Sequence, residues 1–207
     1  AENLRFFADL FQVPADERKK RTGRLLQFSK LGPFQKRRAN DLSGGMKQKL
    51  ALSCTLIHTP QVLILDEPTT GVDPVSRREF WDILHELIQE GVTILVSTPY
   101  MDEAQKCDRV ALMHQGEILV IDEPDNLMNY FSHELIEIQS DDLHQTMHEL
   151  EKVPDILSVD MFGDKIHITV DNAQVMSDRI RNSEIPIRSL KKIRPGLEDV
   201  FIDLMKK

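Results

Sequence analysis

Two short apolar runs constrain the fold more than anything else in the chain: Val62-Leu63-Ile64-Leu65 and "VTILVST" at residues 92–98. Between them, Phe80, Ile83, Leu84, Leu87 and Ile88 recur at helical spacing across residues 76–89, and Gly91 closes that helix. Strand, helix, strand in that order predicts an α/β fold. Strands without polar alternation predict a parallel sheet buried on both faces. The first run ends on adjacent carboxylates, Asp66 and Glu67. Acids beside a buried strand cost free energy unless something nearby uses their charge.

Periodicity extends the reading along the chain. Leu4, Phe7, Ala8 and Phe11 mark a helix over 2–11, and Pro14 opens a second that Gly32-Pro33 breaks. Ser43-Gly44-Gly45 stands where a loop becomes a helix, with Leu50, Cys54 and Ile57 on one face. A short helix follows at 100–107, and "RVALMH" and "EILVID" flank Gln115-Gly116 as a hairpin. Composition shifts after Phe131. Four short strands with helices at about 141–152 and 173–182 predict a β-α-β-β-α-β unit, and a last helix begins at "GLEDVF". The expected division is 1–41, 42–131 and 132–207.

The charge balance, 26 basic against 34 acidic residues, argues against a nucleic-acid binder. No apolar stretch approaches the ~20 residues that cross a bilayer. Cys54 and Cys107 form no paired motif and read as free thiols in a reducing compartment. From Arg18 to Arg38 the chain carries nine Lys or Arg and no acid. That is either a solvated face or a surface for anionic lipid or an acidic partner. His144 and His148, one turn apart, fall opposite Leu143, Met147 and Leu150 and read as solvated. Trp81 reads as packing.

The phrase Asp-Glu-Pro occurs twice, at 66–68 and 122–124. The second copy ends a hairpin arm and starts a helix, where acids are favoured without chemistry. The first ends a parallel strand, where α/β sheets bind ligands. Two acids there suit nucleotide hydrolysis, one holding Mg²⁺ and one orienting water. Ser-Gly-Gly at a helix start suits phosphate, because glycines admit the ligand and N–H groups point outward.

"LSGGMKQKLALS", "VLILDEPTTGVDP" and "ILVSTPYMDEA" resemble the signature motif, the Walker B motif with its D-loop, and the switch region of ATP-binding cassette (ABC) ATPases. The resemblance covers residues 1 to about 131. The part ending "RPGLEDVFIDL" is similar, more loosely, to the accessory domain of exporter ATPases of the daunorubicin-resistance kind. It implies a partial ABC-ATPase domain of the P-loop NTPase type with its helical subdomain, then a small α+β split-βαβ domain. It implies further that Asp66 coordinates Mg²⁺ through water and Glu67 is the catalytic base. Leu42, Ser43, Gly44 and Gly45 would contact ATP held by the opposite subunit, and Asp73 would cross the dimer interface. Met46 stands where many relatives carry glutamine.

A phosphate loop needs glycines five apart before Lys-Ser/Thr. The nine glycines, at 23, 32, 44, 45, 71, 91, 116, 163 and 196, contain no such pair. The expectation is a downstream portion of a nucleotide-binding domain, inactive alone, with an unpaired sheet edge and an uncovered apolar face. Ser97-Thr98-Pro99 stands where the family pattern is Ser-Thr-His. Proline offers neither a side-chain donor nor an N–H, so a degenerate site is expected. Implied partners are a membrane-spanning permease and a second ABC ATPase domain, possibly in the same polypeptide, with ATP and Mg²⁺ and no nucleic acid. The implied place is cytoplasmic, on the inner face of a bacterial membrane. The alternative is a soluble, translation- or DNA-associated ABC ATPase.

Overall fold

The computed structural model describes residues 1–206. Its contacts divide the chain into two compact units, Ala1–Pro99 and the residues from Tyr100 onward.

The first unit opens with three helices, α1 (Glu2–Leu10), α2 (Ala15–Phe28) and α3 (Gly44–Leu56). Pro14 lies just outside α2 as its N-cap. Leu4 and Ala8, four apart on one face of α1, are buried together with Leu25 of α2, Leu52 of α3 and Ile57 at the C-cap of α3. Strand β1 (Val62–Asp66), helix α4 (Pro74–Gln89) and strand β2 (Thr93–Ser97) complete the unit. The two strands pair in parallel, with Asp66 opposite Ser97.

Burial on both faces, which the apolar runs by themselves suggest, is not what the structure shows; the uncovered apolar face expected of a partial domain is. Leu63 is buried, but Val62, Ile64 and Leu95 are 58, 72 and 62% exposed. Ile64 pairs with Leu95 in register, so one face of the ribbon is apolar and open. A run of apolar residues records what a strand is suited to, not whether a neighbour is there to cover it. Ile88 is a smaller correction: it sits in the last turn of α4 and is exposed, while Trp81 takes the buried place.

Part of the basic run is paired with acids. Arg18 meets Asp9 at 2.6 Å, Arg21 meets Glu17 at 3.3 Å, and Arg24 meets Glu90. Lys19, Lys20, Lys36, Arg37 and Arg38 face solvent.

The second unit begins with α5 (Met101–Ala104) and a hairpin of β3 (Val110–His114) and β4 (Glu117–Asp122). Its turn holds Gln115 and Gly116 at φ 50° and 84°, the left-handed pair that a two-residue hairpin requires. After α6 (Pro124–Leu127) come β5 (Glu134–Gln139), α7 (Leu143–Leu150), β6 (Ile156–Phe162), β7 (Lys165–Val170), α8 (Ala173–Arg181) and β8 (Ser189–Ile193). This is the expected β-α-β-β-α-β order. The sheet runs β6-β7-β5-β8 and is antiparallel throughout.

Strand alternation sorts β5 between two cores. Ile136 and Ile138 pack with Leu150, Ile166, Ile168, Met176 and Ile180. Leu135, on the other face, packs with Leu112, Leu127, Leu197 and Val200, which joins the hairpin to the last helix, α9 (Leu197–Met205). Asp199 anchors α9 by accepting from Gly196 N at 2.7 Å and meeting His167 Nδ1 at 2.8 Å.

Candidate functional site

The residues singled out from the sequence lie in the first unit, around the carboxyl ends of β1 and β2 and the starts of α3 and α4. Parallel pairing sets Ser97 beside Asp66. The Ser97 hydroxyl donates to Asp66 Oδ1 at 2.5 Å and accepts from Glu67 N at 3.0 Å. Glu67 N also donates to the Ser97 carbonyl at 3.1 Å. Ser97 therefore orients the Asp66 carboxylate and fixes the backbone of Glu67. Its place at the end of an apolar strand, opposite another such strand, is the sequence signal for that role.

Glu67 adopts φ 43°, a left-handed conformation that costs a non-glycine residue about 1–3 kcal/mol. The turn bends the chain off the sheet at once and leaves both carboxylates exposed. Thr70 Oγ1 donates to Glu67 Oε2 at 3.0 Å, a second contact that sequence reasoning missed. Pro99 is exposed two residues beyond Ser97.

The helix start behaves as its residues require. Ser43 is the N-cap of α3, accepting from Met46 N at 3.3 Å, and Leu42 is buried beneath it. The first helical turn leaves the Gly44 and Gly45 N–H groups without intrahelical acceptors. Asp73 caps α4 in the same way, accepting from Val75 N at 3.1 Å and Ser76 N at 2.9 Å. Those bonds, Ser76 first, hold its carboxyl below the ordinary value of 3.8.

A depressed folded-state pKa means that the charged cap stabilises above the ordinary value, and that this contribution fades as pH falls through the folded one. Asp73→Ala is therefore expected to lower the melting temperature near pH 7, by an amount that shrinks below pH 3.8. Melting curves at pH 7 and pH 3 check this; an equal loss at both rejects the charged cap.

The two helix starts touch. A Cβ on Gly45 would lie 2.5 Å from Ser76 Cβ and 3.3 Å from Val72 Cγ1, so only glycine allows this approach. A Cβ on Gly44 would lie 3.6 Å from the Gly71 carbonyl oxygen. The Ser-Gly-Gly cap is thus packed against the segment 71–76, and that segment starts from the acid pair. Sequence reasoning placed the cap and the pair in one device; it did not find the contact that joins them.

Residues 1–70 match the family described as ABC transporter. Residues 123–205 match the C-terminal domain of DrrA1-3-like ATP-binding proteins. The chain joins part of an ABC transporter ATP-binding domain to a DrrA-like C-terminal domain. It is 42% identical over 207 residues to the probable multidrug ABC transporter ATP-binding protein YbhF of Escherichia coli, covering 99% of this chain and 36% of that protein. It is 35% identical over 206 residues to the Nod factor export ATP-binding protein I of Burkholderia thailandensis, covering 98% and 66%. The chain spans about a third of the first relative and under two thirds of the second.

Among solved structures, cbiO1 of Clostridium perfringens, part of the ABC transporter complex cbiONQ, superposes with TM-score 0.56 at 32% identity over 61% of this chain and 51% of that one. An ATP-binding subunit of an ABC transporter superposes with TM-score 0.55 at 28% identity over 63% and 55%. The fold is that of a partial ABC ATPase domain.

Among the described residues no helix is long and apolar enough to cross a membrane. His144 and His148 are exposed, and no cluster of three or more metal-ligating side chains occurs among the described residues.

Proposed function

We propose that the full-length protein is the ATP-binding subunit of an ABC-type exporter, coupling ATP binding and hydrolysis to transport by a separate membrane permease. The observation that carries this is the joined pair of features: exposed Asp66 and Glu67 held by Ser97, and a capped α3 packed against the segment leaving those acids. The relatives, a probable multidrug ABC transporter protein and a Nod factor export protein, favour export over a translation- or DNA-associated role.

The donor set suits Mg-ATP: carboxylate oxygens are the hard ligands Mg²⁺ takes, and a helix start with free N–H groups suits phosphate. When bound, Mg-ATP supplies the phosphoanhydride that is cleaved and the cation that neutralises charge on it. Asp66, whose Oδ1 accepts from the Ser97 hydroxyl, would hold the cation. Glu67, whose Oε2 accepts from Thr70 Oγ1, would take the proton of the attacking water at its carboxylate. Leu42 seats the cap of α3. Ser43, Gly44 and Gly45 donate to the nucleotide of a second ABC ATPase domain, in another subunit or the same polypeptide, and Asp73 lies at the interface between the two. That domain pairs with this one at the cytoplasmic face of the membrane.

The site built on Asp66 and Glu67 is degenerate, because Pro99 provides no donor. The 207-residue chain by itself, with no phosphate-loop motif, hydrolyses no ATP. Two measurements test the reading. The full-length protein should co-purify with a membrane permease and hydrolyse ATP only with Mg²⁺, losing turnover in EDTA. The isolated chain should show no tight Mg-ATP binding by calorimetry. Co-purification with ribosomes or DNA, or Mg-ATP binding by the isolated chain, rejects it.

A further inference from the structure

The contact between α3 and α4 does not end at Gly45 and Ser76. One turn further along each helix, the Lys49 ammonium meets the Glu79 carboxylate. Lys49 is only 6% exposed, so it has left water for a single counter-charge. Lys30, beyond the end of α2, reaches the other oxygen of Glu79 at 3.2 Å. Glu79 is thereby the junction of three segments: the end of α2, the helix that Ser43 caps and the helix that Asp73 caps. Lys49 first, then Lys30, holds its carboxyl below the ordinary carboxylate range.

One contact between two helix starts is a pivot, and a second makes a fixed angle. The Gly45–Ser76 approach sets how close the starts of α3 and α4 lie, and it leaves rotation about that point open. The Lys49–Glu79 pair removes the rotation, since swinging α3 away would strand a buried ammonium without its counter-ion. We propose that Glu79 is a positioning residue for the nucleotide reaction: through Lys49 it locks the Ser-Gly-Gly cap to the Asp73 segment. The two then approach the opposing ATP as one body.

This rests on the ATP-dependent reading above and deepens it. Closure on nucleotide needs the cap donors and Asp73 presented together. A loosened α3 has to be ordered at the moment of closure, and that cost raises the ATP concentration required. Lys30, exposed and attached to the same carboxylate, fixes no helix start, and its removal leaves that concentration unchanged.

The test uses the full-length protein with Glu79→Gln, Glu79→Lys, Lys49→Glu, the combined swap Lys49→Glu/Glu79→Lys, and Lys30→Gln. Melting temperature is recorded beside KM for ATP and kcat. The expected result is a KM for ATP about tenfold higher in Glu79→Gln, with kcat within twofold, and higher still in either single reversal. The combined swap should recover KM to within threefold of the unaltered protein, and Lys30→Gln should match it. A lower melting temperature with unchanged KM in Glu79→Gln overturns the positioning role and leaves Glu79 as a stabilising residue. Failure of the swap to recover KM while the protein stays folded also overturns it. If the unaltered protein neither binds nor hydrolyses Mg-ATP, the ATP-dependent reading falls and the inference falls with it.

Discussion

Replacing Pro99 with histidine in the full-length protein is expected to raise ATP turnover, on the order of 10²-fold at the site built on Asp66 and Glu67. The residue follows the end of β2, and Ser97, two positions earlier, already holds the Asp66 carboxylate and the Glu67 backbone. A histidine there would add the donor that proline lacks. Removing one preorganised donor from a site of developing negative charge costs about 2.7–4 kcal/mol of transition-state stabilisation, so adding one recovers a similar amount. Steady-state turnover of Pro99→His and the unaltered protein measures this, and unchanged turnover rejects the degenerate-site reading. One other donor is already present. Thr70 bonds Glu67 at 3.0 Å, so Pro99→His/Thr70→Ala should keep less of the gain than Pro99→His alone.

The second large effect is steric. Gly45→Ala places a Cβ 2.5 Å from Ser76 Cβ, a separation that real carbons do not reach, so α3 and α4 must move apart. Overpacking of this kind costs about 1–3 kcal/mol. Denaturant unfolding of the full-length protein should show that loss in Gly45→Ala. The double variant Gly45→Ala/Ser76→Gly, which removes the opposing Cβ and hydroxyl, should be more stable than Gly45→Ala alone. Alanine favours a helix interior over glycine by about 1 kcal/mol, a preference that opposes this loss, so net destabilisation is diagnostic of the contact. Stability equal to or above the unaltered protein would show that the two helix starts are not in contact in solution.

These expectations rest on contacts of different legibility. The acid pair at a strand end, the serine cap and the element order were all readable from the residues. Each is a local property: a period of two or 3.6, a turn residue, a side chain that reaches its own backbone three positions on. The C-terminal sheet was legible for the same reason, since four short strands bounded by turns and two amphipathic helices admit few arrangements.

The contacts that make the site a device were not legible. Ser97 meets Asp66 only because β1 and β2 pair in one parallel register, across 31 positions of chain. Gly45 needs to be glycine because of Ser76, and Lys49 is buried against Glu79; nothing near Gly45 or Lys49 in sequence announces either partner. An uncovered apolar face was expected from the absent phosphate-loop motif, but that Ile64 and Leu95 line it together follows only from the register of β1 on β2. From the sequence alone came the elements, their order and the chemical groups at their ends, because backbone geometry imposes those patterns on neighbouring residues. The tertiary structure decided which ends meet and which faces stay open, because pairing across tens of residues is settled by packing and register, which no local pattern encodes.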